Sequence, residues 1–482
     1  MATSPRARPC DELTIRTTPA TADCVDAQKR WVLAATILAS AIAYIDESVV
    51  NVALPAIATG LATSVAAVQW VINAYTLCLA AFLLVGGAAG DRSGRRTMFI
   101  TGVSVFALAS LWCGFSGDAT QLIAARAVQG VGAALLIPCS LAIIGATFPE
   151  AERGRAIGTW AGLSSLSAAI GPMLGGWIVD HTSWQAIFLI NPVLALPAIA
   201  IAARHVPNSR DPQAPETIDW PGAALAFGGL GGVTFALIAL PGAGLRGIAF
   251  LAPLAVSLPL LAAFVWHEQR TPAPMMPLSL FRSRMFSGIN LLTLLLYGAL
   301  GGAMFLLPFA LIQVHGYSAT AAGAVFLPFT IIMTVLSRWA GGLIDRVGAR
   351  LPLIAGPTLT ALGFALLALA GPTAPYWIAF GVPITVVGLG LVITVAPLTT
   401  AVINSVPEHQ TGIASGINNA VASVANLLAI AVFGAIALNI FSNDLALGIR
   451  VAMLIAAGLA VASAACAVLT IPPNDKSRPS KS

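Results

Sequence analysis

Fourteen apolar runs follow one another along the chain, near 31–57, 66–89, 97–117, 119–143, 156–179, 185–204, 221–240, 247–266, 286–312, 318–342, 352–371, 375–403, 411–440 and 447–470. About twenty apolar residues span the hydrocarbon core of a bilayer as a helix. Lipid offers no partner to an unpaired N–H or C=O, so runs this long must form helices that satisfy their own backbone. Only 9% of the 482 residues are charged, against about 25% in soluble domains. A chain of this composition has too few charges to cover a water-facing surface. Trp31, Trp184, Trp220, Trp266 and Trp377 stand at run ends, where interfacial aromatics are expected.

The net charge of +5 does not point to nucleic acid, because the basic residues are confined to every second loop. Arg92, Arg95 and Arg96, then Arg153 and Arg155, Arg204 and Arg210, Arg282 and Arg284, and Arg346 and Arg350 mark one face, while the alternate loops hold almost only Arg246 and Arg450. This positive-inside pattern predicts both termini in the cytoplasm. Residues 1–30 carry no apolar stretch of signal-peptide type, so the first span is expected to act as its own insertion signal. The six cysteines show no CxxC spacing and read as small buried hydrophobes.

One loop occurs twice. Gly87, Asp91, Arg92, Gly94 and Arg96 return 254 residues later as Gly341, Asp345, Arg346, Gly348 and Arg350. A second echo joins Pro149-Glu150, Gly154 and Gly158 to Pro407-Glu408, Gly412 and Gly416, at an offset of 258. Halves of six spans would repeat after roughly 200 residues. The excess equals the two spans at 221–240 and 247–266, and an even number keeps both loops on one face. The expected organisation is a tail (1–30), a six-helix bundle (31–205), two inserted helices with their linkers (206–285), a second six-helix bundle (286–470) and a tail (471–482). Parallel halves of this kind are one architecture of secondary transporters.

Four motifs resemble the major facilitator superfamily, and within it the fourteen-span drug:proton antiporters. Ile45 to Pro55 (IDESVVNVALP) is similar to the first-helix signature DxTxVNVALP. Gly87, Asp91, Arg92, Gly94, Arg95 and Arg96 match the superfamily loop, and Arg126, Gln129, Gly130, Gly132, Ala133 and Ala134 the fourth-helix RxxQGxGAA. Gly158, Gly171, Pro172, Gly175 and Gly176 resemble the antiporter signature of the fifth helix. Three positions depart from the pattern: Ser167 replaces a usual Gly, Glu47 is an additional acid, and Ala349 replaces an Arg in the second loop. The resemblance covers about residues 31–470. It implies an all-α membrane protein of two six-helix bundles plus two helices, sited as a monomer in the inner membrane. It also implies export of amphipathic small molecules, driven by the proton gradient and without a bound cofactor.

Asp46 and Glu47 are the acids set deep in a span. A carboxylate there is costly, and apolar surroundings favour its neutral form, which suits it to load and release a proton. The resemblance gives Asp46 that coupling role; a hydrogen-bonding role at a helix contact is the alternative. Glu47 lies about 100° further round the helix, on the stripe of Tyr44 and Asn51, facing either a cavity or a neighbouring helix. Arg126, the most deeply placed basic residue of the first half, needs a buried partner. That partner is an acid, released on protonation, or Gln129 and backbone carbonyls. The Asp91 loop, with Asp345 and Arg346 in its second copy, reads as a gate in which Asp91 caps or pairs across to the start of a neighbouring helix. Gly171-Pro172 is expected to interrupt the fifth helix, and the other glycines of that signature to admit close packing. Candidate cavity residues are Asn51, Gln69, Asn73, Gln129, Trp160, Asn290, Tyr297, Asn418 and Asn419.

Other classes fit less well. The lysines, Lys29, Lys476 and Lys481, complete no GxxxxGK[ST] loop of an ATP-driven pump, and the five histidines have no metal-ligand spacing. The tails are too short for a signalling domain, and no enzyme activity is expected. Export of a single metabolite or antibiotic, or another proton-coupled facilitator, remains the alternative within transport.

Overall fold

The computed structural model describes residues 22–210, 218–272, 274–341, 343, 347–371, 375–406, 410–440 and 444–472. Asp345, Arg346, Pro407 and Glu408 lie outside them. The described residues form helices and connecting turns, with no strand. In chain order the helices are α1 (Ala22–Gly60), α2 (Val65–Ser93), α3 (Arg95–Gly114), α4 (Ala119–Thr147), α5 (Glu150–His181), α6 (Ala186–His205), α7 (Trp220–Ala243) and α8 (Ile248–Arg270). They continue as α9 (Arg284–Phe309), α10 (Ala319–Ala324 and Leu327–Gly341), α11 (Arg350–Ala368), α12 (Val382–Asn404, entered through a wide turn at Trp377–Gly381), α13 (Thr411–Gly434) and α14 (Leu445–Thr470). Fourteen helical stretches of these are long and apolar enough to cross a bilayer.

Short polar side chains start many of these helices by accepting the backbone N–H groups that a first turn leaves free. Ser64, Asp118, Asp219, Ser283, Ser318 and Asp444 do so for α2, α4, α7, α9, α10 and α14. Gly94, at φ 111°, makes the tight joint between α2 and α3, a conformation that favours glycine. Pro172 does not interrupt α5, which runs unbroken from Glu150 to His181. Proline is tolerated inside membrane helices because neighbours and local adjustments satisfy the freed carbonyl.

Helix pairing repeats between the halves. In the first, α1 packs on α5 and α6, α2 on α4, and α3 on α4 and α6; in the second, α9 packs on α13 and α14, α10 on α12, and α11 on α12 and α14. The halves meet through α2 with α13 and through α5 with α10, which are equivalent pairings. Helices α7 and α8 pack on each other, and α7 also touches α2 and α13.

The duplication extends to a crossing at which two helix backbones approach closely. A Cβ on Gly102 of α3 would stand 2.9 Å from the Gly132 carbonyl oxygen of α4, and one on Gly132 would stand 2.9 Å from that of Gly102. In the second half, a Cβ on Gly356 of α11 would lie 2.6 Å from the Gly390 carbonyl oxygen of α12, and one on Gly390 would lie 2.5 Å from that of Gly356. Small residues let membrane helices approach to this range.

Four of the expected interfacial tryptophans, Trp31, Trp220, Trp266 and Trp377, are exposed. Trp184 is not: it is 6% exposed, packed edge-on to Phe188 and against Gly60. Its run end folds under the end of α1, so the polar tip of the ring lies inside the protein rather than at the lipid boundary.

Gly132→Val is expected to force α3 and α4 apart and to cost about 1–3 kcal/mol by overpacking, measured as a lower Tm in detergent. Gly390→Val should cost a similar amount.

Candidate functional site

Asp46 is 2% exposed, at the middle of α1. Four other helices bring polar groups to its cluster. From α4, Arg126 pairs with its Oδ2 through Nη1. Gln129 Nε2, one turn along α4, donates to Oδ1 at 2.9 Å, and Asn191 Nδ2 of α6 donates to the same oxygen at 2.7 Å. Ser110 of α3 accepts from Asn191 at 2.8 Å and donates to the Phe188 carbonyl at 2.9 Å. From α2 the Val71 carbonyl accepts from Arg126 Nε at 3.1 Å, and the Tyr75 ring lies 4.4 Å beneath the guanidinium. Arg126 Nη1 also donates to Gln129 Oε1, at 2.7 Å. Buried charges survive only when paired and hydrogen-bonded, and this cluster supplies both. Both kinds of partner weighed for Arg126, an acid and Gln129 with a backbone carbonyl, surround it. Glu47 is not its ion-pair partner.

Glu47 faces elsewhere. It lines a cavity of about 480 Å³ between the halves, beside Tyr44, Asn51, Trp160, Tyr297 and Asn426. Met304, Phe326, Phe329 and Met333 supply the apolar wall. No ion pair reaches Glu47 among the described residues. Asn51 Nδ2 donates to the Glu47 carbonyl at 2.9 Å, and Trp160 Nε1 to Ser40 Oγ at 2.9 Å. An amphipathic acid-bearing pocket with polarizable walls suits a bulky, cationic or amphipathic guest.

On the face opposite the Gly87–Arg96 segment, α5 and α10 close on each other. There, Asp180 of α5 accepts the first free amides of α10, Ala319 N at 3.1 Å and Thr320 N at 2.7 Å, and the Thr320 hydroxyl at 2.5 Å. A Cβ on Gly176 would overlap the Ala319 carbonyl, and one on Gly323 the Pro172 carbonyl. The acid at a helix N-terminus gains from the dipole as well as the hydrogen bonds.

Of the cavity residues expected from sequence, Asn51, Trp160 and Tyr297 line it. The other amides lie elsewhere. Gln69 donates to the Ile430 and Ala431 carbonyls and ties α2 to α13. Asn418 donates to Asn290 and Thr293, joining α13 to α9. Gln129 belongs to the Asp46 cluster, Asn419 is exposed, and Asn73 is fully buried with no amide partner among the described residues. Asp91, near the end of α2, pairs at 2.8 Å with Arg95, the first residue of α3, and so reaches the start of a neighbouring helix. Arg95 and Arg96 also reach the carbonyls of Ala142 and Val206, while Arg92 is exposed and Gly87 lies within α2. In the fifth-helix signature, Gly171, Gly175 and Gly176 are closely packed, and Gly158 has open space around it. Asn191, Ser110 and Asp180 escaped the sequence reading. An Asn in an otherwise apolar run, just ahead of Pro192, was the available signal for Asn191.

The model of the Major Facilitator Superfamily matches residues 36–430. The chain is 33% identical over 405 residues to the multidrug resistance protein Stp of Mycobacterium tuberculosis (strain ATCC 25618 / H37Rv), covering 84% of this chain and 75% of that one. It is 34% identical over 396 residues to the tetracenomycin C resistance and export protein of Streptomyces glaucescens, covering 81% and 72%. Among solved structures, the peptide transporter POT in complex with sulfate superposes with a TM-score of 0.68 at 15% identity, covering 92% of this chain and 93% of that one, a likeness of fold. The chain belongs to the Major Facilitator Superfamily and is a multi-pass membrane transporter.

Arg126→Ala is expected to cost about 3–5 kcal/mol by leaving Asp46 buried and unpaired, and the double variant with Asp46→Asn should recover part of that loss in thermal unfolding. Asp180→Ala should weaken the α5–α10 seal by about 1 kcal/mol, seen as a longer and broader distance between spin labels on the ends of the two helices.

Proposed function

We propose that this transporter exports amphipathic, drug-like compounds in exchange for protons, as a monomer with both termini in the cytoplasm of a bacterial cell. The observation that carries the reading is the placement of two adjacent acids in different surroundings: Asp46 locked to Arg126, Glu47 lining the cavity between the halves. The resistance and export named for Stp and the tetracenomycin C protein support a drug-like cargo. The basic loops support a cytoplasmic assignment for the Gly87–Arg96 face.

In this reading the cavity lies on the cytoplasmic side of the Asp180 seal and loads cargo there. A proton reaching Asp46 neutralises the acceptor of Arg126, Gln129 and Asn191. The guanidinium then has no counter-charge in its buried pocket, and the first half repacks around it. Repacking biases the halves toward the inward-open arrangement, where the proton leaves to the cytoplasm and cargo enters. The deprotonated, cargo-loaded carrier then turns outward, which requires the α5–α10 seal to part, and a proton arriving from outside closes the cycle. Each state is favoured only by the difference in its contacts, and the Asp46 cluster supplies that difference. Glu47 holds a cationic cargo by charge and the aromatic wall holds its apolar body. No cofactor enters the cycle; the proton gradient supplies the work.

Asp46→Asn is expected to abolish gradient-driven efflux from proteoliposomes while the protein stays folded; full efflux in that variant overturns the proton assignment. Glu47→Gln should lower transport of a monovalent cationic dye by about tenfold, equivalent to ~1.4 kcal/mol, and leave a neutral substrate nearly unaffected. Export confined to one compound across a susceptibility panel would instead favour the dedicated-exporter reading that the tetracenomycin C relative raises.

A further inference from the structure

A second acid pair lies far along the chain from Asp46, where α7 begins and α8 ends, on the same face as the Gly87–Arg96 segment. Asp219 caps α7, its Oδ1 accepting Gly222 N at 2.9 Å and facing His267 Nε2 at 2.7 Å. His267 is held in turn by Thr271 Oγ1 at 3.0 Å. The next residue, Glu268, is 3% exposed. Its Oε2 accepts the Met276 amide at 2.9 Å, which fastens the linker between α8 and α9 to the end of α8. Its carboxyl also lies within hydrogen-bonding reach of the Asp219 carboxyl.

Two oxygens in this cluster are buried without a donor among the described residues, Glu268 Oε1 and Asp219 Oδ2. The groups that reach these acids, Gly222 N and His267 Nε2 at Asp219 and Met276 N at Glu268, lie on the other oxygen of each. Two ionised carboxylates in contact repel, and an unpaired buried acceptor is costly. One proton between them removes both penalties, because a neutral acid donates where an ionised one only accepts.

We propose that Glu268 and Asp219 share a bound proton, a second protonation site separate from Asp46, and that its occupancy fastens the 271–283 linker to the α7–α8 pair. The titratable groups facing Glu268 are Asp219 from α7 and His267 from its own helix. Arg270 is turned onto the Trp266 ring, 4.5 Å from its centroid. The groove below is closed on one side by Met276 of this linker; α2 and α13 bring to it Ala80, Leu84, Ile417 and Val421, and α9 brings Asn290, none of which titrates. Loss of the proton sets the two carboxylates against each other, withdraws Glu268 from the Met276 amide and frees the linker from that groove.

The test is hydrogen exchange of the 271–283 segment in the intact protein in lipid nanodiscs, across the neutral pH range and corrected for the intrinsic exchange rate. In the wild type, protection of this segment should fall with rising pH, by up to about tenfold per pH unit above the midpoint. Glu268→Gln, which carries its own donor, should stay protected at every pH, and Glu268→Ala should stay unprotected. Asp46→Asn should keep the wild-type response. Protection independent of pH in the wild type, a Glu268→Gln variant that titrates as the wild type does, or loss of the response in Asp46→Asn would each overturn the proposal. A failure of the drug-export reading leaves this result untouched, since the readout needs no substrate.

Discussion

The Asp46–Arg126 pair is the constraint around which the first half is arranged. Neither charge tolerates burial alone, so α1, α2, α3, α4 and α6 must each hold a register that presents a partner: Asp46, Val71 and Tyr75, Ser110, Arg126 and Gln129, and Asn191. Most of the surrounding contacts are apolar and interchangeable in lipid, where burial against a neighbour and burial against acyl chains differ little. The polar cluster is therefore what makes this packing of five helices specific. The second half contains no ion pair of this kind among the described residues, and its buried polar contacts are neutral, such as Asn418 with Asn290 and Thr293.

Adjacent positions on one helix thus carry opposite demands. Asp46 has three donors and is closed off, whereas Glu47, about 100° away, lines open space. One residue step separates a group closed into an ion pair from one that lines the cavity. The Asp180 contact sits at the far end of α5, where a carboxylate on free helix amides joins α5 to α10.

The membrane fold was legible because lipid imposes one rule on every span: long apolar runs become helices, and the count, the basic loops and the repeated loop followed from that. The site was legible only in part. Asp46 and Arg126 stood out because charge in an apolar run is conspicuous. Asn191 and Ser110 did not, since neutral polar residues are common in such runs and only the fold shows which ones converge. The same ambiguity misplaced Gln69, Asn290, Asn418 and Asn419: an amide in a span satisfies itself on a helix carbonyl or a neighbouring amide as readily as it lines a cavity. Asp91 was expected to reach the start of a neighbouring helix and does so, because Arg95, four residues on, opens α3. The Glu268–Asp219 contact joins a helix start to a helix end 49 residues later, a pairing that spacing does not reveal.

The crossings of α3 over α4 and of α11 over α12 bear on stiffness. Where side chains interdigitate, a helix pair can slide by changing rotamers. Where two backbones touch, nothing can be exchanged, and any sliding drives a carbonyl into a neighbouring Cα. Gly102 with Gly132, and Gly356 with Gly390, act as rivets placed at equivalent points of the two halves. Each half is stiffened along these seams, so large motion is left to the joints between the halves, α2 with α13 and α5 with α10. Two stiff shells sharing two joints are built to rock rather than to bend, and under the proposed cycle such rocking would carry a change at one acid across the membrane.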